Sequence, residues 1–412
     1  MKLRLFLAAA CGLLLFMLLS CGTPTVRIGY VNPTTGALSG NGEGYDWVID
    51  QIYEHVRNHP IYIKGKPAQF EIITYDCKSD PQLCAKLATQ LVKNDKVDLL
   101  LALQTIGMVI PETAVAETYG VPCISIQAPT DALSAARDRY DWTFHAFWTV
   151  DKIYECYRGL WTQAGHGVHS GSKVGFLFPA DPDGYLWGEL FTRRAEEDGY
   201  VVVDAGRYPM GTKDFSAVAA LFKQEGVDVI TGTNLPQDFI NAMDAIAASG
   251  LHVDGVTMGR CCSSQSSAAA LGEKAVGLMS AVWWDRSFGF VSDLTGMDTD
   301  SIARQYAADN YDAQIPQPAC FAYAALELAV HAFQNAGSTN KKKLRKAISE
   351  LDVTTIVGHI RYDRQSDGLR YSETVIAGGQ WQFDGNELKL EVIDNSVYPE
   401  LPLSKPFRAV RQ

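Results

Sequence analysis

Cys261 and Cys262 stand side by side, followed by Ser263, Ser264, Ser266 and Ser267, and thiols and hydroxyls at this density are first weighed as nucleophiles. Thiolate attack needs a base, and eight histidines are available, so a hydrolase pairing Cys261 or Cys262 with a histidine brought near by folding is one reading. No Gly-x-Ser-x-Gly elbow or phosphate-binding Walker loop accompanies these residues, and the serines read as a polar loop. His166 and His169 lie in a glycine-rich stretch without Cys-x-x-Cys or His-Glu-x-x-His context, so neither a metal nor another cofactor is expected. Gly40-Asn41-Gly42-Glu43-Gly44 lacks the spacing of a dinucleotide loop, and Lys341 to Lys346 reads as the solvated face of a short helix. What remains is aromatic. Trp142, Phe144, Phe147 and Trp148, then Trp283 and Trp284, could stack on a flat ligand or enclose an apolar one, with core packing accounting for most of them. This is chemistry suited to binding rather than to breaking bonds, and the chain is not expected to be an enzyme.

Such rings must be positioned by a scaffold, and the pattern along the chain alternates strand and helix. Buried strands are expected over 26–31, 70–75, 97–103 and 121–126, with helices over 44–58 and 81–92 and a third starting near Pro111. The alternation restarts after residue 150, with strands at 173–178, 201–203 and 227–230 and helices at 187–198, 214–224 and 236–249. Strands separated by helices imply parallel sheets covered on both faces. About 390 residues remain beyond the first twenty-one, too many for one hydrophobic core. The expected fold class is therefore α/β with two doubly wound parallel-sheet lobes. Ligands of such sheets sit beyond the carboxyl ends of the strands.

Residues 1–20 read as a secretory signal peptide: Lys2 and Arg4, an apolar run from Leu5 to Leu19, then Ser20. The run falls short of the roughly 20 residues of a membrane span. Cys21 after Leu18-Leu19-Ser20 resembles a bacterial lipobox, which implies lipidation of Cys21, a tether at 21–23 and a membrane-anchored lipoprotein facing the periplasm. The formal charge of −11 argues against nucleic acid as a partner.

Ile28-Gly-Tyr-Val with Thr35-Gly36-Ala-Leu, Tyr75-Asp76-Cys77 leading to Asp80-Pro81, and Val121-Pro122-Cys-Ile-Ser125 come in a telling order. With Gly358-His-Ile-Arg-Tyr-Asp363, Gly368 and Gln380-Trp381-Gln382 near the end, they resemble the type I periplasmic solute-binding proteins, in particular the branched-chain amino acid binding family of ABC transporters. The resemblance implies a monomeric two-lobe receptor on a three-segment hinge that closes on a small molecule and delivers it to an inner-membrane permease. It places the crossings near 146–150, 282–285 and 357–359, giving lobe one as 24–147 with 286–357 and lobe two as 148–285 with 358–412.

Carried over by position, the resemblance implies ligand contacts at Asn41, at Gln104 and Thr105, and at Ala128 and Thr130. Beyond these it implies Tyr185, Asn234 and Arg260, and the aromatic cluster near the crossings adds Trp148 and Trp284. Two departures matter. Pro129 removes a backbone donor from the loop that holds an amino acid in relatives. Arg260 stands where amino acid binders carry an acid, and a guanidinium donates only, so it would clamp a carboxylate. The expected ligand is an apolar or aromatic carboxylate or a related amphipathic molecule, with amino acids, amides and larger lipids as alternatives and ligand sensing for a membrane kinase as an alternative role. After Cys11 and Cys21, seven cysteines remain. In an oxidising envelope some should pair, Cys77 with Cys84 first and Cys261 or Cys262 with Cys320 as a further option, leaving a free thiol such as Cys123.

Overall fold

Strands form where continuous apolar runs allow burial on both faces: Leu99–Ala102, Cys123–Ile126 and Val229–Thr233 are buried at every position. The computed structural model describes residues 22–163, 168–262, 264–366 and 368–409. The signal peptide, Cys21, His166 and Ser263 lie outside the described residues. Among the described residues, the strands form two seven-stranded sheets and two small two-stranded ones. The first runs, edge to edge, Arg364–Ser366, Leu369–Ser372, Thr143–Ala146, Cys123–Ile126, Leu99–Ala102, Thr25–Asn32 and Gln69–Asp76, parallel except at its first pair. The second runs Glu387–Asp394, Ala377–Asp384, Met279–Val282, Gly255–Gly259, Val229–Thr233, Lys173–Pro179 and Val201–Tyr208, with the closing hairpin antiparallel. Two doubly wound α/β lobes result.

Helix starts follow local chemistry. Asp80 accepts from the backbone N–H groups of Gln82 and Leu83 at 2.7 and 3.0 Å, with Pro81 in the first turn. Two starts differ from expectation. The third helix is Ile106–Tyr119, because the Thr105 carbonyl already accepts from Met108 and Val109. Pro111 sits inside it, where it has no N–H to donate to the Gly107 carbonyl. Pro182–Glu197 begins well before Trp187, capped by Asp181, whose carboxylate accepts from Gly184 N–H at 2.7 Å.

The third crossing also differs. The Gly358–Arg361 strand turns back on Asp352–Thr355 as a hairpin, and Leu369–Ser372 then joins the first sheet beside Thr143–Ala146. The chain reaches the second sheet only at Ala377, so the crossing lies at 373–376 and not at 357–359. The expected bridge between Cys77 and Cys84 is not formed either. All seven described cysteines are buried free thiols, and that of Cys84 donates to Glu112 at 3.3 Å.

Candidate ligand-binding site

Where the two sets of strand ends meet, a cavity of about 70 Å³ lies between the lobes. The first lobe supplies Gln104 after Leu99–Ala102, Gln127 after Cys123–Ile126, and Phe147 with Trp148 after Thr143–Ala146. The second supplies Asp183 and Trp187 from Pro182–Glu197, Arg260 after Gly255–Gly259, and Trp283 after Met279–Val282. Three of these strand-end residues are non-glycines with positive φ: Gln104 at 93°, Gln127 at 71° and Arg260 at 63°. Such conformations cost about 1–3 kcal/mol each and persist where surroundings impose them, often at functional sites.

The surroundings are visible for Gln127. Its Oε1 accepts from the Tyr45 hydroxyl at 2.9 Å and from Gln104 N–H at 3.1 Å, while its Nε2 donates to the Pro318 carbonyl. Gln104 Nε2 in turn donates to the Asn41 carbonyl at 3.2 Å, tying the glycine-rich turn to the cavity. That turn needs its glycine, since a Cβ on Gly42 would stand 2.7 Å from Asn32 Oδ1. The rings form the walls. Trp148 meets Trp187 at 78° with centroids 5.8 Å apart, and Trp283 at 87° and 6.4 Å.

Arg260 does reach the cavity, but its guanidinium is already engaged. Nη1 donates to Asp181 at 2.7 Å and lies 3.5 Å from Asp183, and Nη2 is 3.4 Å from the Thr233 carbonyl. Burial raises the Asp183 carboxyl to about 6, against the pull of Arg260. The clamp expected for a ligand carboxylate is therefore closed by the protein's own carboxylates.

Of the expected contacts, Asn41, Gln104, Thr105, Trp148 and Arg260 line the cavity. The others are used elsewhere. The Ala128 carbonyl accepts from His145, whose ring is buried and held neutral, its pKa lowered to about 4. Thr130 donates to the Phe147 carbonyl at 3.2 Å and steadies the first crossing. Asn234 is buried against Leu177 and Tyr208, and Tyr185 points outward, 59% exposed. Trp284 donates its indole N–H to the Ile356 carbonyl at 2.8 Å and faces an outer groove of about 740 Å³ instead; its neighbour Trp283 lines the cavity. Gln127, Asp183 and Trp187 are the residues that sequence reasoning missed. The cap signal at Asp181-Pro182 could have found the last two by placing the helix start correctly.

Cys261 and Cys262 are fully buried, and the Cys262 thiol turns to the Met258 carbonyl. A nucleophilic role needs access that neither has.

A family model described as periplasmic binding protein matches residues 25–377. Among solved structures, the isoleucine complex of the branched-chain amino acid transporter substrate-binding protein LivJ from Streptococcus pneumoniae is similar at TM-score 0.71 and 19% identity, covering 90% of this chain and 99% of that one. The leucine-binding protein LivK from Thermotoga maritima gives 0.72 and 16%, with 90% and 99% covered. An ABC-transporter solute-binding protein from R. palustris in complex with 4-hydroxybenzoate gives 0.72 and 17%, with 90% and 96% covered.

Proposed function

The chain belongs to the periplasmic binding protein family, and from that premise we propose that it is a receptor closing on a small amphipathic solute for an ABC-type permease. Members of this family are binding proteins, and relatives of this fold carry isoleucine or 4-hydroxybenzoate. The observation that carries the reading is the tryptophan-walled cavity built from strand ends of both lobes, with the apolar body of the solute against Phe147, Trp148 and Trp283. The hinge we assign to 147–149, 283–285 and 373–376. Ligand contacts on both lobes bias the molecule toward its closed form, the form a permease would recognise.

An engineered cavity of about 150 Å³ accepts benzene. At about 70 Å³ the site suits a compact solute, and a ring the size of hydroxybenzoate requires the lobes to part further. A thermal-shift screen of amino acids, hydroxybenzoates, aliphatic acids, amides and lipids tests the reading. A ligand at a hundred times its Kd stabilises by about 2.7 kcal/mol. The expected result is a hit that also compacts the protein in small-angle scattering; hits without compaction would count against lobe closure.

Export and anchoring belong to the same proposal. Lys2 through Cys21 supply signal and lipobox, and no helix among the described residues is long and apolar enough to cross a membrane. Labelling of expressing cells with a radioactive fatty acid should mark the protein and fail to mark Cys21→Ser. Light scattering should find a monomer.

A further inference from the structure

The indole N–H groups of Trp148 and Trp187 are buried without a hydrogen-bond partner among the described residues, and both side chains line the cavity. So is Gln104 Oε1, on a side chain that is 2% exposed and also lines it. An indole N–H can only donate, and a carboxamide oxygen can only accept. Buried polar atoms of native proteins are normally paired, so these three, with the equally unpartnered hydroxyl of the cavity-lining Tyr157, which can donate or accept, describe the polar half of the solute. It must offer oxygen lone pairs to two donors and an N–H or O–H to one acceptor.

Charge narrows the class. Asp183 lines the cavity, and with Asp181 it faces the single guanidinium of Arg260, so two carboxylates stand against one cation. A ligand carboxylate would meet Asp183 across a poorly screened gap and would leave Gln104 Oε1 unpaired. A zwitterion brings the same carboxylate to Asp183 and must in addition strip its ammonium of water. A primary amide or urea-type group satisfies both demands without charge: its carbonyl receives the indoles, and its NH₂ reaches Gln104 and Asp183. Its bulk also suits a cavity of about 70 Å³.

We propose that the solute is a compact uncharged amide or urea-type compound, with its carbonyl oxygen held by the indole N–H groups of Trp148 and Trp187 and its N–H by Gln104. This rests on the reading of the protein as a solute receptor and narrows what that receptor takes.

Calorimetric titration with matched pairs tests it: acetamide and acetate, isobutyramide and isobutyrate, benzamide and benzoate, with urea and isoleucine alongside, all at neutral pH. The expected result is that an amide binds at least about tenfold more tightly than its acid, and that Trp148→Phe and Trp187→Phe each weaken that amide by about tenfold while keeping the ring. The N,N-dimethyl amide, which has no N–H for Gln104, should bind more weakly to the unaltered protein. This comparison stands even if a tryptophan variant fails to fold. An acid or isoleucine binding as tightly as the amides would overturn the proposal, as would folded Trp→Phe variants with unchanged amide affinity. If no amide or urea binds but another compound compacts the lobes in small-angle scattering, the amide inference fails and the receptor reading stands. If nothing compacts them, both fail.

Discussion

Arg260 shows how one residue's meaning depends on its neighbours. Its guanidinium holds Asp181 and Asp183 at the cavity wall, and Asp181 uses its other oxygen to cap the helix carrying Asp183 and Trp187. Removing the cation strands two buried carboxylates, so Arg260→Ala should cost about 3–5 kcal/mol in urea unfolding at neutral pH. The sign with pH is fixed by the acid. Asp183 in the folded protein titrates near 6, above its ordinary 3.8, so it favours folding when protonated and the unaltered protein loses stability as pH rises from about 4 to 6. Without the guanidinium Asp183 holds its proton to still higher pH, so the Arg260→Ala deficit should shrink as pH falls toward 6, and a deficit independent of pH would contradict the pairing. Gln127 makes the second residue-scale prediction. Gln127→Leu leaves the Gln104 N–H and the Pro318 carbonyl without their buried partner, a loss of about 1–3 kcal/mol by denaturant titration.

Among elements, two helices set the site. Pro182–Glu197 approaches its sheet so closely that a Cβ on Gly184 would lie 2.0 Å from the Pro179 carbonyl. Gly184→Ala must move the helix start that carries Asp183, and should cost about 1–3 kcal/mol with weakened ligand affinity. Gln317–Ala336 is buried over most of its length, and its first turn serves the hinge: Gln317 Oε1 accepts from the backbone N–H groups of Trp283 and Trp284 at 2.7 and 3.1 Å. Farther along, Glu327 accepts from Ile356 N–H at 3.1 Å, and burial raises its carboxyl to about 8. Its ordinary value is 4.5, so folding is favoured while it is protonated and stability is lost as pH rises from about 4.5 through 8. Glu327→Gln removes that charge, and its melting temperature should exceed that of the unaltered protein by a margin that grows from pH 5 to pH 8. An unchanging margin would refute the buried-acid assignment.

For the whole molecule, the question is what holds the lobes together. The Ser266 hydroxyl in the second lobe donates to Glu43 in the first at 2.5 Å, and Gln265 Oε1 accepts from Gln314 N–H at 3.2 Å across the same divide. These are polar contacts at the mouth of the cleft and partly open to water, so each is modest. Glu43→Ala together with Ser266→Ala should loosen closure by about 1 kcal/mol, enough to weaken ligand binding several-fold without altering unfolding of either lobe. Scattering of the ligand-free variant should report a larger radius of gyration.

Alternating apolar runs, the Asp80-Pro81 start and the glycine turns determined two doubly wound lobes, because strand burial and helix capping are local and leave periodic marks. The order of motifs likewise determined the family, and of the five expected contacts that line the cavity four (Gln104, Thr105, Trp148 and Arg260) lie just past a strand end. Only the tertiary structure decided the rest. Which sheet edge receives Leu369–Ser372 depends on a partner more than two hundred residues away, and nothing in a short strand names its partner. Whether Arg260 meets a ligand or two aspartates depends on a helix from elsewhere in the chain arriving with Asp181 and Asp183. Trp283 and Trp284 are neighbours of one type in the sequence, and only the path of the crossing turned one ring to the cavity and the other to the outer groove. Local periodicity sets the elements, whereas pairings between distant side chains set the chemistry of the site.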